Sequence, residues 1–171
     1  DDRPYIEMNT SGTTGKSKVI RVDKQAMVHS ALATGDFFDL HPGSKVLQCL
    51  PVKYIAGKMM FVRGFILGLD MDLVAPNSTP LQKNDTEYDF VAMVPLQAQN
   101  SLKELKKVKK MIIGGVKVND TLEKQLSKLP TMAYETYGMT ETITHIAAKK
   151  VGEKAFTVLP NVTISYDDNN C

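Results

Sequence analysis

Cysteine is scarce in this 171-residue sequence. The two present, Cys49 and Cys171, are too few and too scattered for a disulfide framework or a metal cluster, so a reducing cytoplasm is the expected setting. A strong charge of one sign is lacking as well. A formal net charge of +2 and a pI near 8.5 leave no general basic footprint, which argues against a nucleic-acid partner. Long apolar runs are also missing. The most apolar stretch, Met59 to Leu69, is broken by Arg63 and is too short to cross a bilayer, so no membrane span is expected. Its apolar residues surround a helix rather than striping it, which suits burial between layers. No secretory leader pattern, repeat or low-complexity tract stands out, and the Asn-x-Ser/Thr triplets at Asn9, Asn77, Asn119 and Asn161 carry no weight without secretion.

What is present is alternation. Short β-branched or apolar runs at Lys45 to Leu50, Met71 to Ala75, Phe90 to Val94, Lys110 to Ile113 and Met132 to Thr136 are mostly separated by helical patterns. That order predicts an α/β fold, a mostly parallel sheet flanked by helices, in one domain. Asp23 is placed to cap a helix running to about Thr34, with Gly35 ending it. Ser101 with Glu104 and Asp120 with Glu123 have capping-box spacing, Leu102, Leu105 and Val108 give the first of these an amphipathic helix with its lysines in water, and Pro130 closes the second. Pro76 to Glu87 reads as a surface loop and Asp167 to Asn170 as a turn.

The most specific segment is Thr10-Ser11-Gly12-Thr13-Thr14-Gly15-Lys16-Ser17-Lys18. Glycines let main-chain N–H groups approach an anion, Thr10, Ser11, Thr13 and Thr14 add hydroxyl donors, and Lys16 and Lys18 add positive charge, a composition suited to phosphate. It differs from the P-loop, which needs Gly-x-x-x-x-Gly-Lys-Ser/Thr before a helix. Here two residues separate Gly12 from Gly15, and strand-like Val19-Ile20-Arg21-Val22 follows. With Tyr5 to Asn9 alternating before it, the phosphate-binding loop is expected to join two strands near the N-terminus. A polar hairpin without ligand is the bland alternative.

A second segment weighs against that alternative. Tyr137-Gly138-Met139-Thr140-Glu141-Thr142 offers an aromatic face for a base, a hydroxyl for a phosphate oxygen and a carboxylate for magnesium, just past a strand. In this order the two motifs closely resemble the adenylate-forming superfamily of acyl-CoA synthetases, luciferases and peptide-synthetase adenylation domains, over nearly the whole sequence. Met111-Ile112-Ile113-Gly114-Gly115 matches that family's glycine-pair strand, and Leu50-Pro51-Val52-Lys53-Tyr54-Ile55-Ala56-Gly57 its Leu-Pro-x-x-His-x-x-Gly segment, with Tyr54 in place of histidine. Ser17 stands where the family usually has proline. Thr144-His145-Ile146-Ala147 and Val94-Pro95-Leu96-Gln97 look most like the 2-succinylbenzoate–CoA ligases of menaquinone biosynthesis.

The resemblance implies an ATP-dependent acid–CoA ligase, with a small-molecule carboxylate, ATP and coenzyme A as substrates and Mg2+ as cofactor. It implies that residues 10–16 and Lys18 grip the β- and γ-phosphates. Tyr137 and Gly138 with Gly114 and Gly115 would lie against adenine, Thr140 would touch the α-phosphate, and Glu141 would bind the metal. Lys18, Thr140 and Glu141 are the catalytic candidates, and Tyr54, Gln97, Gly114 and His145 the candidates for the acyl substrate. His29 and His41 are expected to be surface or packing residues. No Thr-Gly-Asp segment follows the second motif, and the family's N-terminal subdomain and C-terminal domain are not represented. The sequence is therefore expected to be a fragment, inactive in isolation. Another aryl- or fatty-acid–CoA ligase, and a non-catalytic nucleotide-binding remnant, remain as alternatives, and the oligomeric state is open, a homodimer included.

Overall fold

A computed structural model of the protein describes residues 2–9, 18–82 and 85–165. The expected phosphate contacts at Thr10, Ser11, Gly12, Thr13, Thr14, Gly15 and Lys16, together with Ser17, Cys171 and the expected turn at 167–170, lie outside the described residues.

The chain opens with β1 (Tyr5–Asn9) and β2 (Val19–Asp23), paired antiparallel from Tyr5↔Asp23 to Asn9↔Val19, so the glycine-threonine segment does connect two strands. Asp23 then caps α1 (Lys24–Phe38), its carboxylate accepting the Ala26 N–H at 2.8 Å. The remaining elements are β3 (Lys45–Gln48), α2 (Ile55–Leu67), β4 (Asp70–Leu73), β5 (Tyr88–Met93), α3 (Pro95–Asn100), β6 (Val108–Ile113), α4 (Asp120–Leu126), β7 (Met132–Gly138), β8 (His145–Lys150) and β9 (Thr157–Val158). Strands β3 to β9 form one sheet in the order β4-β3-β5-β6-β7-β8-β9. The five strands from β4 to β7 are parallel, and β8 and β9 extend the sheet antiparallel.

The interior strands carry continuous apolar stretches, Phe90–Met93 in β5 and Met111–Ile113 in β6, because both faces of the sheet are covered. One face packs Leu47, Val91, Met93, Met111 and Ile113 with Leu122 and Leu126 of α4. The other packs Val46, Phe90, Ala92 and Ile112 with Phe38 of α1 and Met60 of α2. A third cluster, Met8, Val22, Met27 and Met59, seats the β1–β2 hairpin on these two helices, with Ile143 packed against it.

Four sequence expectations change. Gly35 does not end α1; it is buried in the helix where Leu67 of α2 packs directly against it, and the chain turns only at Asp39, in the left-handed region at φ 53°. Residues 102–108 form turns and a short 3-10 segment rather than an amphipathic helix, because Val108 is needed in the β6 ladder opposite Tyr88. Two lysines of the run, Lys107 and Lys109, pair with Asp85 and Asp89, each at 2.7 Å. Asn119, not Asp120, caps α4 by accepting the Leu122 N–H at 2.9 Å. Finally, α2 buries only part of its surface: Met59, Met60 and Arg63 point inward while Phe65 is 84% exposed. Strand β8 was not anticipated.

Candidate active site

All five parallel strands end on one side of the sheet, where open α/β sheets gather their ligands. The chain leaves β3 toward β4 and returns across it to β5, so the topological switch point lies between β3 and β5. Gln97 fills that crevice. Its amide nitrogen donates to the carbonyls of Cys49 at 3.1 Å and Asn77 at 2.9 Å, and its oxygen accepts the Val94 N–H at 3.2 Å. Expected to face an acyl substrate, Gln97 instead has its amide committed to three main-chain groups.

The open surface lies two strands further on, at the ends of β6 and β7. Gly114 donates its N–H to the Met93 carbonyl at 3.2 Å, and Gly115 follows at φ 93°. Beside them the Thr136 hydroxyl donates to the Ile113 carbonyl at 3.1 Å and occupies the space a side chain on Gly114 would require. Tyr137 projects next, 57% exposed. At Gly138 the β7–β8 register shifts, and a Cβ there would collide with the Thr144 carbonyl, so only glycine permits the tight return. Gly114, Gly115, Tyr137 and Gly138 therefore converge.

Thr140 and Glu141 sit in that return, residues 139–144. The Thr142 hydroxyl organises it, accepting the Met139 N–H at 2.9 Å with the Thr144 carbonyl 2.8 Å away, and the Ile143 N–H donates to the Thr140 carbonyl at 3.0 Å. Ile143 has φ 69°, a conformation costing a β-branched residue on the order of 1–3 kcal/mol. Packing offsets the strain: its side chain joins the cluster of Met8, Val22, Met27 and Met59. The return carrying Glu141 is thereby fastened to the hairpin that carries Lys18. Both Lys18 and Glu141 are exposed.

Behind the return lies a buried polar group that the sequence reading weighed only in part. Arg63 is 1% exposed, and its nitrogens donate to the Thr34 hydroxyl at 3.3 Å, the Thr144 hydroxyl at 3.3 Å and, weakly, the Met60 sulfur at 3.6 Å. Among the described residues it makes no ion pair, and burial lowers its pKa to about 10. His145 is 6% exposed, with Nδ1 3.3 Å from the Thr144 hydroxyl, Nε2 3.5 Å from the Thr34 hydroxyl, and its ring edge-on to Phe38. Because the Thr34 proton goes to the Ser30 carbonyl at 2.8 Å, Nε2 is assigned as the protonated ring nitrogen. Burial, and secondarily Arg63, push the His145 pKa down to about 3, so the ring is neutral. His145 thus sits behind the return rather than on its open surface. The signal for Arg63 was available: a lone charge inside an otherwise apolar helical run.

The other expected residues are dispersed. Tyr54 begins α2, 46% exposed, with Lys53 Nζ 4.9 Å from its ring centroid. His29 and His41 are exposed, and His41 lies 2.9 Å from Asp39.

The family model for the AMP-binding enzymes matches residues 1–166. This chain belongs to the AMP-binding enzyme family. The AMP-binding chain is 25% identical to a 2-succinylbenzoate–CoA ligase of Oceanobacillus iheyensis over 186 residues, covering 99% of this chain and 39% of that protein. A solved acyl-CoA synthetase (AMP-forming)/AMP-acid ligase II-like protein of Dyadobacter fermentans superposes with a TM-score of 0.91 at 36% identity, covering 99% of this chain and 52% of that one. The o-succinylbenzoate coenzyme A synthetase of Bacillus subtilis, in complex with ATP and magnesium ion, superposes with a TM-score of 0.76 at 23% identity, covering 84% of this chain and 32% of that one, a likeness of fold. The chain thus spans about two fifths to one half of the length of the first two of these relatives.

The family resemblance implies magnesium, and the donor set at the strand ends is of a kind that suits it. No group of three or more His, Cys, Asp or Glu residues that could cage a metal occurs among the described residues, while Glu141 offers one exposed carboxylate. Magnesium is usually held by one or two carboxylates with phosphate oxygens and water, which is what such a site supplies.

Proposed function

We propose that this chain forms the nucleotide-gripping part of an ATP-dependent acid–CoA ligase. The reading is carried by one observation: Ile143 packs the Thr140–Glu141 return against β1 and β2, the two strands that precede and follow the glycine-threonine segment in the sequence. The two motifs thus have a shared base. In the reaction a carboxylate oxygen attacks the α-phosphorus, the bond to the β-phosphate bridging oxygen breaks, and pyrophosphate leaves with the electron pair. The coenzyme A thiol then loses its proton and attacks the acyl carbon, releasing AMP.

In this scheme Lys18 and the loop hydroxyls stabilise charge on the departing pyrophosphate, Thr140 orients the α-phosphate, and Tyr137 with Gly114 and Gly115 holds the base. Glu141 would hold magnesium, which supplies further neutralisation of the phosphate oxygens.

The substrate reading is 2-succinylbenzoate, supported by the similarity to ligases of that name and by Arg63. This acid has two carboxylates, of which one is activated and the other remains anionic. A buried guanidinium whose partners are two hydroxyls and a thioether is matched by such a second anion, reached by displacement of the Thr144 hydroxyl.

The test is acid-dependent exchange of pyrophosphate into ATP by the product of the complete gene. Exchange with 2-succinylbenzoate, lost in Glu141→Gln and Lys18→Ala, is the expected result. Exchange with fatty acids only would overturn the substrate, and ATP binding without exchange by any acid would identify a non-catalytic nucleotide module.

A further inference from the structure

Tyr137 has a neighbour that the motif does not contain. Phe156, just before β9, is 40% exposed, and its ring centroid is 6.1 Å from that of Tyr137 with the planes at 63°, an edge-to-face contact. Phe156 is itself held. The Lys149 ammonium lies 5.3 Å from its ring centroid and 3.2 Å from the Glu135 carboxylate, and Glu135 also accepts the Val118 N–H at 3.3 Å. Glu135 and Tyr137 share one face of β7, opposite Lys149 and Ala147 of β8. A linked series of contacts therefore runs from the segment after Gly115 to Tyr137.

Apolar rings stabilise a fold by leaving water, and these two leave it only in part. What the arrangement achieves is orientation. A tyrosine at a strand end, next to glycine, would otherwise sample several rotamers, and a flat ligand would have to select one of them. We propose that Phe156 is a positioning residue for nucleotide binding: its contact fixes the tilt of the Tyr137 ring so that the open face meets the flat base of an adenine nucleotide. The proposal rests on the assignment of Tyr137 to adenine made above.

The experiment measures equilibrium binding of ATP and of inorganic tripolyphosphate to the chain and its variants, each first checked for an unchanged melting transition. Phe156→Ala weakens ATP roughly five-fold, the scale of one aromatic pair, and leaves tripolyphosphate unchanged. Phe156→Tyr, which keeps the ring, restores ATP affinity. In a Tyr137→Ala background Phe156→Ala has no further effect, because the ring it positions is gone. Equal weakening of both ligands, or a Phe156→Ala variant that binds ATP normally while Tyr137→Ala does not, overturns the proposal and leaves the adenine assignment standing. Wild-type chain that binds ATP no better than tripolyphosphate, with Tyr137→Ala silent, overturns both.

Discussion

Two covered cations flank the strand that carries Tyr137, one on each face of the sheet. On the α4 face Lys149 lies 3.2 Å from Glu135, the two side chains 15% and 11% exposed, and the carboxylate also takes a main-chain N–H. On the α1–α2 face Arg63 is covered more completely and meets only neutral partners. The first charge is settled within the fold. The second meets no opposite charge among the described residues, and the neighbouring histidine, held neutral, adds no charge of its own. An ion pair that closes on itself belongs to the scaffold, whereas a covered cation with no counter-ion among the described residues is what the second carboxylate of the proposed substrate would meet.

The largest effect should come from breaking the settled pair. Lys149→Met leaves the Glu135 carboxylate covered and unpaired, and a loss of about 2–3 kcal/mol is expected in a denaturant titration. Arg63→Met should be far gentler on the fold, within about 1 kcal/mol in either direction, since an apolar side chain replaces a charge that leaves no opposite charge stranded behind it. Its cost falls on binding: preference for a dicarboxylate over a matched monocarboxylate acid should drop about ten-fold, as one buried charge contact. Equal destabilisation by the two substitutions would remove the distinction between them.

Acid should sharpen it. The folded His145 pKa of about 3 lies below its ordinary 6.5. Below pH 6.5 the unfolded chain therefore gains a proton that the folded chain refuses, and stability declines down to about pH 3, by at most about 1.4 kcal/mol per pH unit from this group. His145→Gln should flatten that component of the slope in unfolding curves taken across the interval. The smallest effect is expected on the surface, where Lys109→Ala removes the exposed pair with Asp89 and should leave the denaturant midpoint essentially unchanged, because solvent screens that pair.

Much of the fold was legible because its strands are buried on both faces and announce themselves as apolar runs, as at Phe90 to Val94. Strand β8 was not, since Ala147, Ala148, Lys149 and Lys150 have little intrinsic preference for a strand, and their extended form comes from pairing with β7. The segment 102–108 misled for the opposite reason: its helical spacing is real, but Val108 contributes more in the ladder beside Tyr88 than in a surface helix. At the site, glycines and the tyrosine could be read from the motif. The commitment of the Gln97 amide could not, because it depends on three segments that meet only after folding.

That amide has a consequence of its own. Holding two carbonyls and one N–H from separate loops, it acts as a single stitch through the cleft where this topology would ordinarily admit a guest. With Gln97 so engaged between β3 and β5, the proposed site lies further along the sheet, at the glycines after β6. Cutting the stitch, as in Gln97→Ala, would orphan three backbone groups together and loosen the junction of these segments.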